Sequence, residues 1–97
     1  IQYIDENLDK KLHLESISKM FFVSPSWINY EFKKYYDISY SQYIKTKKMT
    51  YAQSLLQEGA SPKTAAVMCG FDFYTTFLRQ YKEFFGHLPS GDVLNNS

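Results

Sequence analysis

Apolar side chains recur along the chain at the three- and four-residue spacing of an α-helix. Ile4 and Leu8 show this spacing near the start, and Leu14, Ile17 and Phe21 continue it. No stretch alternates apolar and polar residues for long enough to indicate a strand. The pattern therefore predicts an all-α fold with about seven helices separated by short turns. The first helix opens without an N-terminal capping signal, so we expect that the chain is part of a longer protein or that its start has been trimmed.

Capping and turn residues set the expected helix boundaries. In Ser24-Pro25 and Ser61-Pro62 a serine N-cap precedes a proline, which is favoured at the first position of a helix. Ser39 is expected to cap a long fourth helix, which should run from about Tyr40 to Gln57. The remaining expected boundaries are a start near His13, the left-handed C-cap Asp37, the N-cap Asp72, the terminating glycines Gly59, Gly70 and Gly86, and a last turn at Pro89-Ser90.

Aromatic residues make up 19% of the chain and stand at helical spacing beside aliphatic residues. We interpret them as core, because a chain this short needs a large buried area per residue. A stacking platform for single-stranded nucleic acid is the alternative interpretation. The side chains expected to face inward are Trp27 or Ile28, Phe32 and Tyr35 in the third helix, Tyr43, Ile44, Tyr51, Ala52, Leu55 and Leu56 in the fourth, Phe73, Phe77, Tyr81 and Phe84 or Phe85 in the sixth, and Cys69.

The two halves of the sequence resemble each other. Residues 32–37 match residues 81–86 at a constant offset of 49, whereas Ile17-Ser18 match Ala65-Ala66 at an offset of 48. The second half therefore has one extra residue in the turn between its two helices. Each repeat combines a short helix, a tight turn and a longer helix, which is the layout of a helix-turn-helix.

The expected domain organisation follows from this repeat. A first helix-turn-helix unit spans residues 1–38, a linker helix spans residues 39–58, and a second unit spans residues 59–97. A helix of about 18 residues is roughly 27 Å long, and successive major grooves on one side of DNA lie about 34 Å apart. A rigid linker of this length is compatible with two recognition helices in adjacent major grooves.

Composition and charge limit the classes of function. One cysteine and two distant histidines cannot form an intrachain disulfide or a Cys/His zinc site. Without a glycine-rich phosphate loop or a catalytic triad pattern, we expect neither an enzyme nor a bound cofactor or metal. No apolar run is long enough to span a membrane. The net charge is only +1, but five lysines fall within residues 32–57 against one acid, Asp37.

One set of residues resembles the DNA-binding domain of the AraC/XylS family of bacterial transcription regulators. The residues that carry the resemblance are Gly70-Phe71-Asp72, Phe77, Arg79, Tyr81-Lys82, Phe85-Gly86 and Pro89-Ser90, with Ser24, Ile28, Phe32-Lys33, Ser39 and Tyr43-Ile44 in the first half and Met49, Ala52 and Leu55-Leu56 in the middle. The resemblance covers nearly the whole chain, from about Tyr3 to Ser90. The chain departs from the family pattern at Ser18, Asp37, Tyr30 and Lys48, where Ala, Gly, Arg and Arg are usual.

The resemblance implies that the third and sixth helices enter major grooves. The implied base contacts are Ser26, Asn29 and Tyr30 in the first unit and Tyr74, Thr75, Leu78 and Arg79 in the second. Asparagine can pair bidentately with adenine, and arginine with guanine. The implied phosphate contacts are Lys33, Lys34, Lys48, Lys82 and Lys63, together with the helix N-termini at Ser39 and Ser61. Ordinary solvated helix faces are the alternative for all of these residues.

The resemblance also implies a function and a set of partners. The chain would be the DNA-binding part of a cytoplasmic transcription regulator that reads double-stranded promoter DNA and contacts RNA polymerase. An effector-binding or dimerisation domain would be missing from it. The low net charge, the single Arg79 and Tyr30 in place of arginine keep a second hypothesis open, a helical protein-interaction module with weak or lost DNA binding. In an intermediate hypothesis the second unit makes most of the base contacts and the first mainly contacts the backbone.

Overall fold

The computed structural model describes residues 2–93, so expectations that concern Ile1 and the C-terminal tail from residue 94 onward lie outside the described part. Residues 2–93 form six α-helices and a 3₁₀ helix and contain no strand, which confirms the all-α prediction. The elements are α1 (Gln2–Glu6), α2 (Leu14–Met20), α3 (Pro25–Tyr36), α4 (Tyr40–Gln57), α5 (Pro62–Met68), α6 (Tyr74–Phe85) and the 3₁₀ helix Pro89–Asp92.

Most helix ends are where the capping residues predict them. The hydroxyls of Ser24, Ser39 and Ser61 each accept a hydrogen bond from the backbone N–H three residues later, and this satisfies one unpaired donor of each first turn. Asp37 and Gly86 end α3 and α6 in the left-handed conformation, with φ of 61° and 82°. The left-handed C-caps explain why α3 and α6 stop at equivalent places in the two units.

One predicted cap is wrong. Phe73, not Asp72, is the N-cap of α6, and it makes no side-chain capping hydrogen bond. The carboxylate of Asp72 instead forms an ion pair with the ammonium of Lys11, which lies in the loop after α1. The sequence spacing around Asp72 contains no sign of this distant partner.

The internal repeat is present in the backbone. The helices α2 and α5 have seven residues each, and α3 and α6 have twelve each. Both turns close with a hydrogen bond of 3.0 Å from the N–H of Val23 or Phe71 to the carbonyl five residues earlier. Phe22 and Gly70 precede these residues and both have positive φ, 58° and 79°. Phe22 therefore adopts a left-handed conformation in the position that glycine occupies in the second unit.

Two hydrophobic cores share α4. The first contains the buried residues Ile4, Leu12, Ile17, Ile28, Tyr40, Tyr43 and Ile44, and the second contains Met49, Ala52, Leu56, Ala65, Ala66, Cys69, Phe77 and Tyr81. The N-terminal half of α4 packs in the first core and its C-terminal half packs in the second. Since α4 is part of both cores, the packing does not separate a linker helix from the two units. The predicted boundaries after residues 38 and 58 therefore stay a prediction.

Two predicted core residues are wrong. Tyr35 is 68% exposed, because it is Tyr36 that reaches α4 at the end of α3, with its ring 5.1 Å from that of Tyr43. Phe73 is 69% exposed, because it precedes α6 in an extended conformation and so does not lie on the buried face of that helix. Of the two alternatives in α3, Ile28 is buried and Trp27 is about half exposed.

Candidate nucleic-acid interface

Three predicted base contacts lie on α3. Ser26 and Tyr30 are exposed and one helical turn apart, so they lie on the same face of the helix. Tyr30 is 61% exposed, and its hydroxyl can both donate and accept a hydrogen bond. Asn29 is only half-buried, next to that face. The predicted base contacts of α3 that are fully exposed therefore offer two hydroxyl groups and no charged group.

Asn29 has an internal partner. Its Oδ1 accepts a hydrogen bond of 3.0 Å from the backbone N–H of Tyr40, the first residue of α4. A bidentate pair with adenine needs Oδ1 as an acceptor for the exocyclic amine and Nδ2 as a donor to N7. Because Oδ1 already serves Tyr40, Asn29 joins α3 to α4, and this arrangement does not favour the expected adenine contact.

The equivalent face of α6 carries a different chemistry. Thr75 and Arg79 are exposed and four residues apart. The guanidinium of Arg79 lies 3.9 Å from a carboxylate oxygen of Glu83, a contact too exposed to hold it strongly. Its planar fork of donors can pair with the O6 and N7 atoms of guanine. This face combines a fixed positive charge with a hydroxyl-bearing side chain.

Two other predicted contacts on α6 are partly used by the core. Tyr74 and Leu78 are half-buried and pack against the second core. The ring of Tyr74 stacks on that of Phe77 with 6.3 Å between the centroids, and the ammonium of Lys63 lies 5.9 Å from the Tyr74 ring centroid. Only the outer edges of Tyr74 and Leu78 can reach a ligand.

Four of the predicted phosphate-contacting lysines are exposed. They are Lys33 and Lys34 in α3, Lys63 in α5 and Lys82 in α6. Lys33 and Lys82 occupy equivalent positions in the repeat, in the last turn of α3 and α6. The Lys34 ammonium lies 5.9 Å from the Tyr30 ring centroid and 5.4 Å from the Tyr35 ring centroid, so it is held beside the exposed aromatic side chains.

Lys48 is the clear departure from the predicted interface. The residue is 9% exposed, and its ammonium donates hydrogen bonds to the carbonyls of Lys10 at 2.6 Å and Cys69 at 2.9 Å. Burial lowers the pKa of Lys48, because desolvation disfavours the charged form. The side chain points into the protein, where a phosphate cannot reach it, and the expectation of a phosphate contact is at odds with this placement.

The helix N-termini at Ser39 and Ser61 are largely occupied by the protein itself. Ser39 forms a capping box with Gln42, and the next amide, that of Tyr40, is bound by Asn29. The Ser61 hydroxyl donates to the Thr64 hydroxyl at 2.9 Å while it accepts from the Thr64 amide. These serines stabilise their helices, and any phosphate would have to share those groups.

A groove between the two units contains residues that the sequence did not single out. Its volume is about 510 Å³, and it lies between α4 and the inner side of α6. Ser41 and Lys45 line it from α4, and Thr76 and Gln80 line it from α6. Thr76 and Gln80 follow Thr75 and Arg79 by one position each, and their four-residue spacing is the signal that could have found them.

Within residues 2–93, His, Cys, Asp and Glu side chains form no group of three or more that could hold a metal ion. Among the helices in that range, none combines the length and the apolar character that crossing a membrane requires.

Comparison with known proteins gives the class of domain. A family model described as a helix-turn-helix domain matches residues 17–92. The C-terminal domain of AraT, a response regulator from Geobacillus stearothermophilus, superposes with a TM-score of 0.89 at 24% identity and covers 98% of this chain and 84% of that one. The fold and the matched residues define a helix-turn-helix protein with two such units.

Two relatives narrow the class to a family. MarA of Salmonella typhimurium is 33% identical over 90 residues, which are 92% of this chain and 71% of that protein. LumQ of Photobacterium leiognathi, a probable transcriptional regulator, is 28% identical over 89 residues, 91% of this chain but only 36% of LumQ. The chain belongs to the AraC/XylS family of bacterial transcription regulators, which is not an enzyme family. It corresponds to the DNA-binding domain of these regulators.

Proposed function

We propose that this domain binds double-stranded DNA sequence-specifically, with α3 and α6 in two successive major grooves. The observation that carries the proposal is the repeated backbone, in which two twelve-residue helices of equivalent position each have an exposed polar face. The 18-residue α4 that joins the two units is roughly 27 Å long, which is compatible with recognition helices in adjacent grooves about 34 Å apart.

The two units would contribute unequally to the recognition of the DNA sequence. Arg79 and Thr75 supply the base-reading groups of α6, because a bidentate arginine discriminates guanine by about 1–3 kcal/mol. Ser26 and Tyr30 supply weaker hydroxyl contacts from α3. Lys33, Lys34, Lys82 and Lys63 supply phosphate contacts, which set the register on the duplex without reading sequence. This division supports the intermediate hypothesis, in which the second unit makes most of the base contacts.

The proposal extends to the whole protein only in outline. We place the first unit in residues 1–38, the linker helix in 39–58 and the second unit in 59–97. Since the chain spans about a third of the length of LumQ, an effector-binding or dimerisation segment outside this chain is a natural complement. We further propose that the whole regulator acts in the cytoplasm, binds promoter DNA and contacts RNA polymerase.

Selection from a random duplex library, followed by titration of the selected DNA, tests the proposal. Affinity should fall steeply between about 50 mM and about 200 mM salt, because phosphate contacts release counterions. Arg79→Ala should lower both affinity and base preference. Arg79→Lys keeps the charge but loses the fork, so it should keep more of the affinity than of the preference. Failure to select any duplex at low salt contradicts the proposal.

A protein-interaction module is the second candidate, and one surface feature favours it. Large apolar side chains are exposed at the end of α2, among them Met20, Phe21 and the 94% exposed Phe22. In that case Arg79→Ala should leave the affinity for DNA unchanged, and Phe22→Ser should abolish capture of a protein partner.

A further inference from the structure

The two units touch at a second place besides α4. The loop after α1 lies against the turn between α5 and α6, far away in the sequence. A Cβ atom placed on Gly70 would be 2.8 Å from the carbonyl oxygen of Asp9 and 3.1 Å from that of Lys10. Such distances are shorter than van der Waals contact allows, so the two backbones approach as closely as they do only because residue 70 is a glycine.

Lys48 of α4 reaches this junction from inside. Its ammonium donates to the carbonyl of Lys10 in the first unit and to that of Cys69 in the second. The thiol of Cys69 in turn donates to the carbonyl of Lys48, with 3.4 Å between sulfur and oxygen. One buried cation therefore holds a backbone group from each unit, and hydrogen bonds from a charged donor are stronger than neutral ones.

An exposed contact at the same junction adds little. Lys11 and Asp72 form an ion pair across it, but their side chains are 55% and 58% exposed. Exposed pairs are screened by water and salt and contribute little to stability. The buried contacts at this junction are the stronger ones, and we call them the inter-unit clamp: Lys48, Gly70 and the carbonyls of Asp9, Lys10 and Cys69.

A helix alone is a poor angular constraint. Long helices curve, and a bend or twist within α4 would change the direction of α6 relative to α3. A second point of attachment beside the helix removes that freedom. The clamp is placed near the middle of α4, between the part that packs in the first core and the part that packs in the second.

We propose that the inter-unit clamp fixes the angle between α3 and α6, and that Lys48 is thereby a positioning residue that determines which spacing of two half-sites the domain reads. The statement about DNA rests on the function proposed above, whereas the statement about the angle does not. Lys48 acts through the two units and touches no base or phosphate.

The angle is measured without DNA, by the distance between spin labels. Cysteines replace Lys33 and Lys82, the equivalent exposed positions of α3 and α6, and carry the labels. Burial raises the pKa of the native Cys69 thiol to about 11, so it stays unlabelled at neutral pH. We expect one narrow distance distribution in the otherwise unchanged chain and a broad one after Lys48→Met.

Lys47→Met is the matched control. It makes the same chemical change one residue earlier in α4, where the lysine pairs with Asp5 of the first unit at 3.4 Å and not across the junction. The control should keep the narrow distribution. A folded Lys48→Met variant with the same narrow distribution as the control would overturn the proposal.

A second pair of variants decides the matter if Lys48→Met does not fold. Gly70→Ala pushes a Cβ atom against the Asp9 carbonyl, whereas Gly86→Ala has a similar φ, 82°, with nothing within 4 Å. Both carry the same left-handed strain, and only Gly70→Ala disturbs the clamp. We expect Gly70→Ala alone to broaden the distribution, and equal distributions in the two variants would overturn the proposal.

The consequence for DNA is tested on the selected duplex with one to three base pairs inserted between its half-sites. The unchanged chain should lose roughly tenfold or more in affinity with the insertions, because simultaneous binding then fails geometrically. In Lys48→Met the loss should shrink to below about threefold, while general destabilisation would lower every affinity by the same factor. If Lys48→Met broadens the distance distribution but the unchanged chain binds no DNA, the role of the clamp in fixing the angle stands and the proposed function is rejected. An unaltered dependence on spacing in a variant with a broadened distribution would reject the role of Lys48 in half-site spacing.

Discussion

The two helix-turn-helix units have nearly the same backbone and different surface chemistry. In both units a seven-residue helix, a turn with one left-handed residue and a twelve-residue helix follow one another. On α6 the exposed face has Arg79 and Thr75, whereas on α3 it has Tyr30 and Ser26. The comparison teaches that the repeat determines where α3 and α6 lie, while individual side chains determine the chemistry that each helix exposes; under the proposed function, that chemistry sets how much sequence each helix reads.

The largest difference between the units is expected in the unfolding free energy that is lost when an equivalent core residue is replaced by alanine. Phe77 and Ile28 are equivalent in the repeat, and both are buried. Phe77→Ala should cost about 3–5 kcal/mol of unfolding free energy, because its ring also contacts those of Phe71, Tyr74 and Tyr81. Ile28→Ala should cost about 2–5 kcal/mol, toward the low end. Urea unfolding measures both, and a loss below about 1 kcal/mol for Phe77→Ala contradicts the account.

A smaller difference in the loss of unfolding free energy is expected between two buried tyrosines, one in each hydrophobic core. The Tyr81 hydroxyl donates to the carboxylate of Asp92 at 2.5 Å, and the Tyr40 hydroxyl donates to the backbone carbonyl of Leu12 at 2.8 Å. Because hydrogen bonds to charged groups are stronger, Tyr81→Phe should cost about 1.5–3 kcal/mol and Tyr40→Phe about 0.5–1.5 kcal/mol at neutral pH. Thermal or urea unfolding of the two variants at neutral pH checks this order.

The two tyrosine variants should also differ in their pH dependence. The hydrogen bond from Tyr81 lowers the pKa of Asp92 below its ordinary value. A lowered folded-state pKa means that the contribution is complete above the ordinary aspartate pKa of about 3.9 and is lost as pH falls through the folded value. The cost of Tyr81→Phe should therefore shrink at acid pH while that of Tyr40→Phe stays constant. A cost of Tyr81→Phe that does not change with pH would contradict the charged acceptor.

A comparable difference is expected in DNA binding. Arg79→Ala should lose about 1–3 kcal/mol of discrimination at one base pair, and Tyr30→Phe, which removes one hydroxyl, should lose less than about 1 kcal/mol. Competition between the selected duplex and duplexes with single substitutions measures both. Equal losses would mean that the two helices read sequence equally and would remove the proposed division of work.

The smallest effect is expected at the turn residue of the first unit. Phe22 has φ of 58° and is 94% exposed, so it bears the left-handed strain without packing in return. A left-handed conformation costs a residue other than glycine roughly 1–2 kcal/mol. Replacement by glycine removes this strain, but glycine has more conformational entropy in the unfolded chain, and this offsets part of the gain. Phe22→Gly should therefore stabilise the chain by up to about 1 kcal/mol. A destabilised Phe22→Gly variant would show that the exposed ring has a packing role.

Local signals predicted the elements well, and long-range contacts explain the failures. The Ser-Pro pairs, Ser39 and Asp37 act within one helical turn, so the sequence was enough to place α3, α4 and α5. Asp72 failed as a cap because its partner, Lys11, lies in the other unit. Lys48 could not be recognised as a buried residue, because its acceptors are backbone carbonyls that only the folded chain brings together.

The candidate site was predictable to the same degree. The exposure of Arg79, Thr75 and Ser26 follows from their helical position, because exposure on a helix repeats with its period. Their role as base contacts was implied by the resemblance to the AraC/XylS family and stays a prediction. Asn29 does not, because the amide it accepts from belongs to the next helix. The polar pair Thr76 and Gln80 was missed because its four-residue spacing indicates only a shared helix face, whereas the groove that it lines forms only when α4 and α6 pack together.

Methylation interference on the selected duplex tests most directly whether α3 and α6 read successive major grooves. Methyl groups on guanine N7 project into the major groove, so they block binding wherever a recognition helix lies. The account predicts two interference sites centred about 10–10.5 base pairs apart on one side of the duplex. The site at which interference disappears in Arg79→Ala is assigned to α6, and interference there should be the stronger of the two. A single interference site, or two whose spacing puts them on opposite sides of the duplex, would contradict it.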